Sequence, residues 1–200
     1  MGDVIMLWER LAERPSIGGT RSAFLFDLAC PFSYLTAERV ERTLGDVHWV
    51  PCSLPADRRQ LTPDLIARAE RQAFALQLPL VWPDGFPGPV PMAQRAAAYA
   101  AETGAGARFA LAASRLAFCG GYDLDDEEIL ADAAGAAGIP VDKCLAAAGD
   151  CARDARLQAT AQRLRSSGVP RLPAIRIGRR WLWGEQMLSE ARPLLRNTAS

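Results

Sequence analysis

Cys30, Pro31, Phe32 and Ser33 form the run of this chain best equipped for chemistry. Upstream, Ala23-Phe24-Leu25-Phe26 is a short aromatic and aliphatic run of the kind that makes a buried strand. Downstream, residues Tyr34 to Leu44 place apolar side chains at helical spacing and stop at Gly45, a good C-cap. Cys30 therefore falls where a strand ends and a helix begins, with Pro31 at a position that the first helical turn accepts. A thiol there faces unpaired backbone N–H groups and the positive end of the helix dipole. Both favour the thiolate, the reactive form of cysteine. The competing reading is an inert, buried cysteine. The position against strand and proline favours the reactive one, so Cys30 is expected to be the most reactive thiol of the chain.

Other chemistries find less support. The five cysteines (Cys30, Cys52, Cys119, Cys144 and Cys151) are an odd number without a Cys-x-x-Cys pair, which suggests neither a disulfide framework nor a metal site. His48 is the only histidine, and it lies in the apparent strand Val47-His48-Trp49-Val50 with no nucleophile elbow near it in sequence. Lys plus Arg and Asp plus Glu number 23 each, so no global field points to nucleic acid or to a membrane surface. Charged residues interrupt the apolar ones between Met1 and Arg14, unlike a signal peptide, and no apolar run is long enough to span a bilayer. A cytoplasmic location is expected.

The elements that must position Cys30 follow from pattern. Half of the 200 residues are hydrophobic, enough for one substantial core with room for an insertion. Val4 to Leu11 reads as a short amphipathic helix. The strand from Ala23, the helix to Leu44 and the strand from Val47 make a β-α-β unit, so an α/β sheet with parallel strands is expected. From about Thr62 to Ser166 alanine dominates and helical spacing takes over, in segments 63–76, 92–102, 107–119, 126–137, 141–148 and 152–165. Thr62 and Asp125 are the expected N-caps, and Gly104, Gly120 and Gly138 the terminators. Between the first two of these helices, residues 78–91 are too rich in proline for a helix and read as a long ordered loop. Strand pattern returns at Ala174-Ile175-Arg176-Ile177, with a hairpin at Gly178-Arg179-Arg180, a return strand Trp181-Leu182-Trp183, and Gly184 before a last helix over 185–195.

The run strand-Asp27-x-x-Cys30-Pro31-x-x-Tyr34-Leu35-helix resembles the active-site turn of DsbA-like thioredoxin-fold proteins, a group that includes oxidoreductases, 2-hydroxychromene-2-carboxylate isomerases and kappa-class glutathione transferases. Gly168-Val169-Pro170-Arg171-Leu172-Pro173 is similar to the ending of that fold, where a cis-proline faces the active cysteine, and the match implies a cis bond at Leu172–Pro173. The chain departs from the group in three places. Ser33 stands where the oxidoreductases carry a second cysteine, and Cys30 where the isomerases and transferases carry serine. In the segment Trp183-Gly184-Glu185-Gln186-Met187-Leu188, Gln186 and Met187 replace the Asp and Arg of the family pattern. The resemblance implies a thioredoxin-like α/β domain over residues 1–58 and 160–200, interrupted by a helical domain at 59–159. It also implies a site made of Cys30, Pro31 and Ser33, with Phe32, Leu172, Pro173, Trp183, Gly184, Glu185 and Gln186 holding a thiol or substrate. The proline-rich loop resembles that of the isomerase branch, where it lies near the substrate; the alternative is a rigid connector whose Trp82 and Phe86 fill core.

Three functions stay open on this reading. The first is a thiol–disulfide oxidoreductase working through Cys30 alone. Ser33 is a poor sulfur nucleophile, so release of a mixed disulfide needs an outside thiol such as glutathione or mycothiol. Ser33 would then donate a hydrogen bond to the Cys30 thiolate and cap the helix. Cys52, at the exit of the neighbouring strand, is the first candidate for a resolving thiol within the chain. The second function is a glutathione-dependent isomerase or transferase. The third is a non-catalytic module that pairs an extended peptide with the cis-proline loop. The expected partners are small thiols or disulfide-containing substrates, with room for a homodimer and without nucleic acid, membrane or metal.

Overall fold

A computed structural model of the protein describes residues 22–54, 62–184 and 186–196. The expected helix over Val4 to Leu11 lies outside them. In chain order the described elements are β1 (Ser22–Phe26), α1 (Pro31–Leu44), β2 (Val47–Pro51), α2 (Pro63–Leu76), α3 (Pro91–Glu102), α4 (Gly106–Phe118), α5 (Glu127–Ala137), α6 (Val141–Gly149), a 3-10 turn (Cys151–Arg153), α7 (Asp154–Ser166), β3 (Ala174–Ile177), β4 (Arg180–Trp183) and α8 (Met187–Arg196).

The strands form one mixed sheet in the order β2-β1-β3-β4. β1 runs parallel to β2 and antiparallel to β3, and β3 and β4 make the hairpin. The sheet thus joins the early part of the chain to its end, and α2 to α7 are inserted between the two.

Both faces of β1 are buried, and the two-residue period of a strand sorts its side chains between two cores. Phe24 and Phe26 face the larger one, where Trp49 meets Phe24 edge-on at 4.8 Å between ring centroids. Leu25 faces the smaller one with Cys52, Leu54, Leu164, Val169, Leu172 and Ala174. The larger core runs without a break from the sheet through α1 into the inserted helices. Buried alanines let those helices approach closely, among them Ala93, Ala96, Ala97 and Ala100 of α3 and Ala110, Ala113 and Ala117 of α4. Phe109 and Phe118 of α4, both fully buried, add bulk to this core, each side chain stabilising the fold by about 1.5–3 kcal/mol.

Two helix ends differ from the expected ones. Asp126, not Asp125, caps α5, its carboxylate accepting the Glu128 N–H at 2.8 Å. Asp125 reaches back to the start of α3 and accepts the N–H groups of Met92 and Ala93 at 3.0 and 3.3 Å. Val90, the residue before α3, has no side chain that could cap it, so the aspartate supplies a cap from 32 or 33 residues away. The last helix begins at Met187, after a turn that occupies Gly184 and Gln186.

Candidate active site

β1 ends at Phe26, the chain turns through Asp27, Leu28 and Ala29, and α1 starts with Cys30 as its N-cap and Pro31 inside the first turn. The Cys30 carbonyl accepts the N–H groups of Ser33 and Tyr34 at 3.0 and 3.3 Å. No side chain caps this end and the first turn carries no acidic residue, so no side chain of that turn offsets the positive pole of a 14-residue helix. The other end closes at Gly45, whose N–H reaches the Glu41 carbonyl at 2.8 Å with φ at 70°, a conformation glycine adopts without strain.

Opposite the turn lies the segment before β3. The Leu172–Pro173 peptide bond is cis. The Cys30 thiol points at the Leu172 carbonyl oxygen, 3.9 Å from Sγ. Two segments 142 residues apart in sequence thus meet at one sulfur.

Beneath them lies a polar support. Asp27 is buried, and its Oδ1 accepts the Ala29 N–H at 2.9 Å and the Gln94 side-chain amide at 2.6 Å. This ties the turn to α3. Ser33 is buried as well, and its Oγ accepts the Asp27 N–H at 3.1 Å. The capping role expected of Ser33 is therefore taken by no side chain: Ser33 sits inside the helix, and its oxygen reaches back across the turn to Asp27.

Cys30 opens into a cleft with about 800 Å³ of empty space, counting its open mouth. Pro31 and Phe32 form its floor with Cys30; Leu172, Pro173 and Gly184 form one side; Pro87 of the proline-rich loop contributes a rim. The far wall is α2, through Leu65, Arg68 and Gln72. Of the remaining residues expected at the site, Trp183 and Gln186 are exposed and do not line the cleft, and Glu185 lies outside the described residues. Sequence reasoning missed the α2 wall and Arg171, which also lines the cleft. The spacing 65, 68 and 72 was a visible signal, since these positions share one face of a helix.

The proline-rich loop packs on the core through Phe86 and reaches the cleft through Pro87. Trp82 meets Phe86 at a tilt, 4.8 Å between ring centroids, and Phe86 packs edge-on against Phe118, while Pro87 reaches the cleft. Tyr34 anchors the loop from below. Its hydroxyl donates to the Pro79 carbonyl at 2.9 Å, which leaves its oxygen to accept the Cys119 S–H at 3.2 Å. Burial, and then the contact with Cys119, push the Tyr34 phenol well above its ordinary range, so it stays protonated.

The five cysteines form no disulfide with one another. Cys30 is half-buried and the only one to line the cleft. Cys52 is fully buried in the smaller core. Burial pushes the Cys144 thiol up to about 11. Among the described residues no group of His, Cys, Asp and Glu side chains is placed to hold a metal ion, and no helix is long and apolar enough to cross a membrane.

A family model described as a DSBA-like thioredoxin domain matches residues 23–195. No curated protein sequence matches the chain. Among solved structures, a 2-hydroxychromene-2-carboxylate isomerase superposes with a TM-score of 0.74 at 17% identity, over 88% of this chain and 94% of the other. A probable DsbA oxidoreductase from Streptomyces coelicolor gives 0.69 at 20% identity, covering 89% of each chain. The cytosolic disulfide reductase DsbM from Pseudomonas aeruginosa, solved with GSH, gives 0.64 at 17% identity, over 88% of this chain and 98% of the other. At these identities the likeness is one of fold.

Proposed function

The chain belongs to the DSBA-like thioredoxin domain family, and from that premise we propose that it is a thiol–disulfide oxidoreductase acting through Cys30 alone. One observation carries this reading. Cys30 is the only cysteine that lines the cleft, and it stands at the uncapped N-terminus of α1. In the proposed reaction the Cys30 thiolate attacks one sulfur of a disulfide. A bond forms between Sγ and that sulfur, the original S–S bond breaks, and the other sulfur leaves as a thiolate. The Leu172 carbonyl, 3.9 Å away, accepts from the resting thiol and sets the direction of Sγ.

Cys30 cannot be released from its mixed disulfide by the residue three positions on, because that residue is Ser33 and its oxygen serves Asp27. A low-molecular-weight thiol such as glutathione supplies the second sulfur when bound. The residues around the cleft suit such a molecule: Arg68 and Arg171 offer cationic donors and Gln72 offers an amide. Reduction of a small disulfide by the protein should therefore rise with added glutathione and vanish in Cys30→Ala. A rate that is independent of glutathione, or one that survives Cys30→Ala, would overturn the reading.

Pro87 at the rim favours a second reading, a glutathione-dependent isomerase or transferase in which an organic substrate fills the cleft between Cys30 and the loop. Turnover of such a substrate with glutathione, in the absence of disulfide reduction, would select it.

A further inference from the structure

β4 is an outer strand of the sheet, and among the described residues nothing pairs with its free side. The hairpin turn consists of Gly178 and Arg179 alone, so Ile177 and Arg180 are joined by hydrogen bonds, and such pairs alternate along an antiparallel ladder. The next one is Leu182 with Ile175. The backbone N–H and C=O groups of Trp181 and Trp183 therefore point away from β3, and among the described residues no backbone hydrogen bond reaches them. The two-residue period of a strand puts both indoles on one face. Trp183 is 38% exposed, and Trp181, half-buried against the smaller core, lies under the Arg176 guanidinium, 5.9 Å from its ring centroid.

Charge around this edge is lopsided. Between Asp154 and Glu185 the sequence holds no acidic residue. Arg176, Arg179 and Arg180, at the hairpin, are exposed and make no ion pair among the described residues. The neighbouring α8 sets Glu190 against Arg192 and Arg196. Short length and charge are the means by which proteins guard a free edge against pairing. A guard of one sign repels basic strands and attracts acidic ones.

We propose that the free edge of β4 takes up an extended acidic segment of another protein as an added strand. The main chain of that segment pairs with Trp181 and Trp183, its alternate side chains lie on the two indoles, and its carboxylates reach Arg176, Arg179 and Arg180. Gly184 follows Trp183 and lines the Cys30 cleft, so the added strand has one end beside the cleft. This inference stands apart from the oxidoreductase reading, because no part of it uses Cys30.

The test uses the full chain and a short fluorescein-labelled peptide of alternating Glu and Thr, read by fluorescence anisotropy. The peptide should bind, more weakly as salt rises, and a Lys–Thr peptide of equal length should not. The Glu–Thr peptide with its amides N-methylated cannot pair as a strand and should bind about ten-fold more weakly. Arg179→Gln combined with Arg180→Gln should lower affinity for the unmethylated peptide about five-fold. Trp183→Pro removes an N–H that β3 does not use, and should bind about ten-fold more weakly than Trp183→Ala. The methylated peptide puts the same question to the unaltered protein. No binding of the Glu–Thr peptide would overturn the inference and leave the arginines as a guard alone. Equal binding of the Glu–Thr and Lys–Thr peptides, or of the methylated and unmethylated ones, would overturn it too. So would an oligothymidylate of equal charge that binds as tightly as the peptide, which marks a surface for any polyanion. A dimer of the free protein that the peptide does not displace would assign the edge to a second copy and likewise overturn it.

Discussion

The buried hydroxyl oxygen of Ser33 accepts the backbone N–H of Asp27 at 3.1 Å, closing the turn that carries Cys30. The side chain at the position of a resolving cysteine is thus a structural clasp. Ser33→Cys replaces the oxygen with a weaker acceptor and should cost about 1 kcal/mol of stability. It also rebuilds a Cys-x-x-Cys pair at a helix start, a geometry that readily brings two sulfurs within disulfide range. In the oxidoreductase reading this variant releases its own mixed disulfides, and insulin reduction should rise well above that of the natural protein. In the isomerase reading the new disulfide blocks the cleft, and activity towards a glutathione-dependent organic substrate should fall under oxidising conditions and return with reductant. If neither activity changes and the introduced thiol forms no disulfide with Cys30, both enzyme readings lose ground to the non-catalytic module.

Accessibility and burial together set an order of thiol reactivity. Cys30 should alkylate first near neutral pH, because it is half-buried at a positive helix end. Cys144 should be among the last, since it is fully buried and burial raises its thiol to about 11. Peptide mapping after short pulses of iodoacetamide reads the order directly. Labelling of Cys144 ahead of Cys30 would contradict the site assignment.

How much of this was legible in the sequence depends on how local the signal is. The junction of β1 and α1 was legible because a short apolar run, Pro31 and Gly45 each act within one turn of the chain. The inserted helices were legible to within a residue or two for the same reason. Asp125 was misassigned because two aspartates precede α5 and either suits an N-cap; only the tertiary fold brings Asp125 to Met92. The expectation that Ser33 caps α1 failed likewise, since its true partner is set by how tightly the turn closes. Arg68 and Gln72 belong to a wall that exists only once α2 packs beside α1, and no periodicity in α2 names its neighbour.

The Tyr34 hydroxyl joins α1 to the proline-rich loop and to Cys119. Tyr34→Phe leaves the Pro79 carbonyl and the Cys119 thiol without that partner and should lower stability by about 1–2 kcal/mol in urea unfolding. Because Pro87 rims the cleft, the same variant should also speed proteolysis within the loop. An unchanged midpoint and unchanged proteolysis would show that the loop is held by its aromatic packing alone.

Arg95 fastens α3 to α7 through a bidentate pair with Asp154, at 2.7 and 2.8 Å, and donates to the Ala148 carbonyl at 3.1 Å. The Arg95 hydrogen bond holds the Asp154 carboxyl below its ordinary value of 3.8. A carboxylate with a lowered folded pKa adds stability that is present above the unfolded value and is lost as pH falls through the folded one. Asp154 is 38% exposed, so solvent screening limits the gain to about 1 kcal/mol at most. Asp154→Asn should lose that much at pH 7, and the loss should shrink as pH falls below 3.8 and as salt rises. A deficit that stays constant into acid would assign the effect to packing.

Intact-mass analysis after incubation with glutathione disulfide tests the central claim most directly. The account predicts a single glutathione adduct, located at Cys30, that reduced glutathione removes and that Cys30→Ser never forms. An adduct that persists in Cys30→Ser, or no adduct on the unaltered protein, would contradict it.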